Sequence, residues 1–170
     1  MEFETRAIHD GQDPDPATGA AITPIYQTST YVQEAVGEHK GYDYSRVGNP
    51  TRTALETALA SLEGAAHGIA FSSGLGATTT LMHLVDPGQR VVLIADVYGG
   101  VYRMTSQVYE PKGYRFTYVP AAEFDEELAS HLDADTRLVW IETPSNPLLN
   151  IVDIRRAADA AHAEIGRAHV

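Results

Sequence analysis

A chain of 170 residues with 44% hydrophobic content is long enough for one ordinary core and short for two. Its formal charge of −11 excludes a surface that tracks nucleic-acid phosphates, because that attraction needs clustered Lys and Arg. Cysteine is absent, which excludes disulfides and thiolate metal sites, and no apolar run approaches the roughly 20 residues of a membrane span, so a cytoplasmic, unexported protein is the expectation.

Residues 1–48 are rich in Pro, Gly, Thr and Asp, as in Asp13-Pro14-Asp15-Pro16, with little helical periodicity. They carry Ile22, Ile25, Tyr26, Tyr31 and Val32, more apolar and aromatic content than a disordered tail, and so predict an extended arm that docks. A helix follows, since Asn49 can cap it, Pro50 suits its first position, Leu55, Leu59 and Leu62 share a face, and Gly64 can end it. A short buried strand is predicted at 67–71, a helix at 75–85, a turn at Pro87-Gly88 and a strand at 91–94. Then come a helix over 101–109, a strand at 115–119, a helix over 123–132 and a strand at 138–142. This alternation predicts an α/β fold with a parallel sheet of at least four strands, covered by helices on both faces.

Ligands of open parallel sheets sit beyond the carboxyl ends of the strands, and three unusual loops fall there: 72–77, 96–100 and 142–147. The first opens a helix, so the N–H groups of Gly74 and Leu75 are free to hold a phosphate; a plain capped turn fits the same residues. A dinucleotide fingerprint also fits in part, with Gly74-Leu75-Gly76 before a helix and Asp96 downstream, but its third small position is Thr79. Tyr98, followed by Gly99 and Gly100, suits an aromatic face laid on a planar ligand, the glycines leaving room for the approach; the alternative is a core tyrosine. Asn146, in a Ser-Asn-Pro turn, can donate an amide N–H to a phenolate oxygen or simply serve the turn. Arg103 can bind a carboxylate bidentately or stay solvated. No metal site is expected, because the seven histidines form no close pair on a helical face.

The stretch Tyr42-Asp43-Tyr44-Ser45-Arg46-Val47-Gly48-Asn49-Pro50-Thr51 resembles the Tyr-x-Tyr-Ser-Arg-x-x-Asn-Pro-Thr signature of the Cys/Met-metabolism pyridoxal-phosphate (PLP) enzymes. Ser73-Gly74, Asp96-Val97-Tyr98-Gly99-Gly100 and Glu142-Thr143-Pro144-Ser145-Asn146-Pro147 are similar to that family's later segments in order and spacing, and the resemblance covers about residues 1–163. It implies the fold-type I PLP-dependent transferase large domain, with an arm at 1–48 and the first part of the PLP-binding domain at 49–163. It also implies PLP as cofactor, an amino-acid substrate, and homodimers paired into tetramers that share active sites, with neither nucleic acid nor membrane as a partner.

By the same resemblance, Tyr44 and Arg46 reach the PLP phosphate of a partner subunit, and Gly74 and Leu75 bind that of their own. Tyr98 stacks on the ring and serves as the catalytic residue that helps protonate the leaving group, Asn146 bonds the phenolic oxygen, and Arg103 lies near the substrate. The implied activity is γ-replacement that makes cystathionine from an O-acylhomoserine and cysteine, ahead of γ-cleavage of cystathionine or methionine and homoserine sulfhydrylation. A non-catalytic phosphate- or dinucleotide-binding domain is the alternative of another class. The only lysines, Lys40 and Lys112, match no cofactor-linking position, so this chain alone is not expected to catalyse. The final residues, 164–170, depart from the family pattern and are expected to be a non-native tail.

Overall fold

The computed structural model describes residues 1–165, so the tail read at 164–170 falls almost wholly outside the described residues. The chain divides into two units, Met1–Ser72 and Ser73–Val170.

The first unit is organised by α2 (Pro50–Glu63). The Asn49 side chain accepts from the Thr51 N–H, Pro50 opens the first turn, and Gly64 closes the helix at φ 66°, so the local signals act where the sequence puts them. A seven-residue helix, α1 (Phe3–His9), packs on α2; the turn-rich composition gave no sign of it. The approach is close at Gly11, where φ is 75° and a Cβ would stand 2.4 Å from the Ala54 carbonyl oxygen. Elsewhere the arm is pinned by side chains. Buried Asp15 accepts from the Thr18 N–H, the Thr18 hydroxyl and the Tyr26 hydroxyl, and an isolated antiparallel bridge joins Thr30 to Tyr44. The Thr18 hydroxyl, ahead of Tyr26 and the backbone donors, holds the Asp15 carboxyl below the usual carboxylate range against the opposing effect of burial.

The strand expected at 67–71 does not form a ladder among the described residues. Gly68 lies against α2, where a Cβ would stand 2.3 Å from the Glu56 carbonyl oxygen, and the Ala70 N–H donates to the Glu56 carboxylate. Ile69 and Phe71 stay exposed. The run is apolar enough for a strand, but a strand needs a second one to satisfy its N–H and C=O groups, and its neighbour here is a helix.

The second unit contains a parallel sheet in the order β2-β1-β3, from β1 (Arg90–Ile94), β2 (Arg115–Val119) and β3 (Thr136–Trp140). Among the described residues, three paired strands therefore stand where at least four were expected. Val91, Val92, Leu93 and Ile94 of central β1 are each at most 1% exposed although alternate residues face opposite sides, so both faces of this strand are covered. Burial of each contributes roughly 1.5–3 kcal/mol.

Helix α3 (Gly74–Leu81) runs on into a 3-10 turn, Met82–Leu84. Helix α4 (Gly99–Met104) is shorter than predicted and passes into a π-helical stretch, Thr105–Tyr109. There the buried Thr105 hydroxyl bonds back to the Val101 and Tyr102 carbonyls and meets the Tyr118 hydroxyl. Helix α5 (Ala121–His131) packs on β2 and β1 through fully buried Phe124, and α6 (Ile154–Ile165), which is not among the predicted elements, packs on β3 and α5. Strand β3 begins two residues earlier than predicted, since the Thr136 hydroxyl donates to Asp133 and accepts its N–H, tightening the turn that launches it. Beyond the outer edge of β3, Leu81, Leu84, Leu138, Trp140 and Ile154 line an apolar groove of about 400 Å³. No helix of the described residues is long and apolar enough to cross a membrane.

Candidate active site

Strand register places Leu93 beside Trp140 and Ile94 beside Val119, so the segments after β1 and β3 leave the sheet at one level. These segments carry Tyr98 and Asn146. They are joined by carboxylates in both directions. Asp96, after β1, accepts from the Ser145 hydroxyl, the Leu148 N–H at 3.2 Å and the Asn150 amide at 3.1 Å. Glu142, after β3, accepts from the Tyr98 N–H at 2.8 Å and from the Trp140 indole at 3.2 Å. Hydrogen bonds to a charged acceptor are worth about 1.5–3 kcal/mol each, so the two loops form one stiff assembly.

The loop after β3 is tight. Ser145 is fully buried, exchanges backbone bonds with Asn150 and Leu149, and is followed by Leu149 in the left-handed region at φ 57°. Asn146 is exposed in this loop and its amide enters none of the described hydrogen bonds.

Tyr98 precedes α4 with its side chain about half exposed. A Cβ on Gly100 would stand 2.4 Å from the Tyr98 ring, so the lack of a side chain at Gly100 makes room for that ring. Arg103 is exposed on α4, its guanidinium reaching back over Gly99, and it enters no ion pair of the described residues. Helix α3 packs beside α4, with the Thr79 hydroxyl on the Met104 sulfur. Ser73 caps α3 through the Gly76 N–H, which leaves the N–H groups of Gly74 and Leu75 without intrahelical partners. A Cβ on Gly74 would meet nothing within 4 Å. An open helix N-terminus, an exposed aromatic ring and a presented amide are what a phosphorylated planar aldehyde requires.

In the first unit, the Arg46 guanidinium lies 5.0 Å from the centre of the half-buried Tyr44 ring. Arg52, which motif reading passed over, fixes this loop: its guanidinium donates to the carbonyls of Ser45, Arg46 and Val47 and pairs with Glu56. Asn49 donates to Ser45 and to the Tyr26 carbonyl. Motif reading gives Glu142 no role, and Asp96 none outside the partial dinucleotide fingerprint. Their signal was an acidic residue at each strand end, but the partners lie 44 to 54 residues away. Lys112 precedes β2 and rests on the Tyr109 ring, at the opposite end of the sheet from Tyr98, and exposed Lys40 pairs with Glu34 in the first unit. Glu123, Glu127 and His131 align on α5 with ligand atoms within 4.8 Å, a grouping that a search for histidine pairs did not weigh.

Residues 4–169 match the family model described as Cys/Met metabolism PLP-dependent enzyme. The chain belongs to this family. The cofactor of this PLP-dependent family is pyridoxal phosphate, and the residues after β1, after β3 and at the start of α3 fit it. Among relatives, a probable cystathionine gamma-synthase of Herpetosiphon aurantiacus is 51% identical over 98% of this chain and 50% of its own length. A cystathionine beta-lyase of Coxiella burnetii is 47% identical over 94% of this chain and 41% of its own. The crystal structure of cystathionine gamma-lyase from Lactobacillus plantarum complexed with L-serine matches with a TM-score of 0.85 at 40% identity, covering 96% of this chain and 42% of that one. The chain thus spans about half the length of the relatives it matches, and over that span its α/β fold is that of PLP-dependent cystathionine enzymes.

Proposed function

We propose that the protein carrying this chain is a PLP-dependent trans-sulfuration enzyme acting as a cystathionine γ-synthase, joining an O-acylhomoserine to cysteine by γ-replacement. The observation that carries the reading is the union of the Tyr98 and Asn146 loops at the carboxyl ends of β1 and β3, in one unit with the open N-terminus of α3. The γ-synthase assignment, over γ-lyase, β-lyase, methionine γ-lyase or homoserine sulfhydrylase, is supported by the 51% identical relative of that name.

In this reading the Gly74 and Leu75 N–H groups hold the phosphate, aided by the helix dipole. The Tyr98 ring covers the pyridine face and its hydroxyl carries a proton toward the departing group. The Asn146 amide donates to the phenolic oxygen, and Arg103 holds the substrate carboxylate bidentately. Bound PLP supplies an electron-withdrawing ring that stabilises negative charge at the substrate Cα. Tyr44 and Arg46 serve the phosphate of a partner's site within a homodimer or homotetramer. A cytoplasmic place in methionine biosynthesis, with neither nucleic acid nor membrane as partner, belongs to the same proposal.

The dinucleotide alternative is set aside, because the Asp96 carboxylate it would use for a ribose is committed to Ser145, Leu148 and Asn150. The test is the absorbance of protein expressed from a gene carried through to its stop codon, with borohydride trapping and product analysis. PLP fixed to one lysine and cystathionine formed from an O-acylhomoserine and cysteine are expected. No trapped PLP in a folded product would overturn the enzyme, and γ- or β-cleavage without γ-replacement would reassign the activity.

A further inference from the structure

Two carboxylates at the sheet edge work across the same gap in opposite directions. Glu142 belongs to the segment after β3 and accepts the backbone N–H of Tyr98, on the segment after β1, at 2.8 Å. Its other oxygen is held by the Trp140 indole N–H at 3.2 Å, so the side chain has one fixed orientation. Asp96 belongs to the segment after β1, and a single oxygen of it collects the Ser145 hydroxyl, the Leu148 N–H and the Asn150 amide, all on the segment after β3. Ser145 directly precedes Asn146, and Leu148 and Asn150 follow it two and four places on. Each loop therefore fixes the backbone of the other: the residue before the α4 helix through Glu142, and both flanks of Asn146 through Asp96.

Both carboxylates are engaged by protein donors, Glu142 through both oxygens and Asp96 through one. We propose that Asp96 and Glu142 are positioning residues that set Tyr98 and Asn146 at the separation needed to hold PLP between a ring face and an amide, an inference that rests on the cofactor reading above. What each contributes differs. Glu142 uses one oxygen for each of two N–H donors, so a Gln in its place keeps an acceptor for only one of them, whereas Asp96 gathers three donors on one oxygen and needs its negative charge.

The experiment compares wild type with Glu142→Ala, Glu142→Gln, Asp96→Ala and Asp96→Asn in the whole holoprotein. It reads the PLP dissociation constant, the circular dichroism induced in bound PLP, and amide hydrogen exchange at Tyr98 and Leu148. Glu142→Ala is expected to weaken PLP about tenfold, change the induced dichroism and speed Tyr98 exchange about tenfold, with Glu142→Gln, which keeps one acceptor, lying between alanine and wild type. Asp96→Ala is expected to release the Leu148 amide and alter the same dichroism, and Asp96→Asn to lie between. If Asp96→Ala does not fold, the two Glu142 variants and Asp96→Asn carry the test.

Unchanged Tyr98 exchange and dichroism in Glu142→Ala would overturn the inference. Wild type that holds no PLP while Glu142→Ala still releases the Tyr98 amide would sink the cofactor reading and leave the mutual bracing intact. Wild type that holds PLP with both alanine variants unaffected would do the reverse.

Discussion

Gly100 has no room for a side chain, because the position of its Cβ is 2.4 Å from a Tyr98 ring carbon and the contact is with a rigid ring. Gly100→Ala must push that ring away, at a cost of about 1–3 kcal/mol typical of overpacking. A lower melting temperature together with weaker PLP binding is expected, and wild-type binding would show that the ring's place is unimportant. Asp15 makes a different prediction, through charge. Its carboxyl is held below the ordinary value chiefly by the Thr18 hydroxyl. The carboxylate's contribution is then complete above the unfolded carboxyl range near pH 4 and is lost as pH falls through the lower folded value. Urea midpoints of wild type and Asp15→Asn should differ most near neutrality and converge as pH drops below about 4.

At the scale of elements, α2 is the clearest case of local instruction. Its cap, first proline and closing glycine lie within four residues of the groups they serve, and Asn49→Ala should cost about 1 kcal/mol in chemical denaturation. Asn49 also donates to Ser45 and Tyr26, so its removal should loosen the Tyr44-Arg46 loop as well. Strands β1 and β2 were legible from their apolar runs, within a residue at each end. The segment 67–71 was not, since apolarity reports burial preference but not whether a paired strand is adjacent. Helix α6 is strongly amphipathic, with Ala157 and Ala161 buried on its inner face, so its pattern was legible in the sequence although it is not among the predicted elements.

At the scale of the molecule, the open edge of β3 and its apolar groove are a surface at which another strand or apolar face can pair. Leu84 lies on that groove and is half exposed, so Leu84→Glu should be tolerated by the fold and should reduce self-association in light scattering. Unchanged scattering would place any association elsewhere.

The sequence by itself determined the α/β alternation, the capping of α2 and α3, and the presence of Tyr98 and Asn146 in loops after strands. Each of these depends on interactions a few residues apart. Only the tertiary structure decided that Asp96 and Glu142 brace those loops and that 67–71 lies against a helix. These depend on strand register and on contacts 14 to 54 residues apart, which no local periodicity encodes.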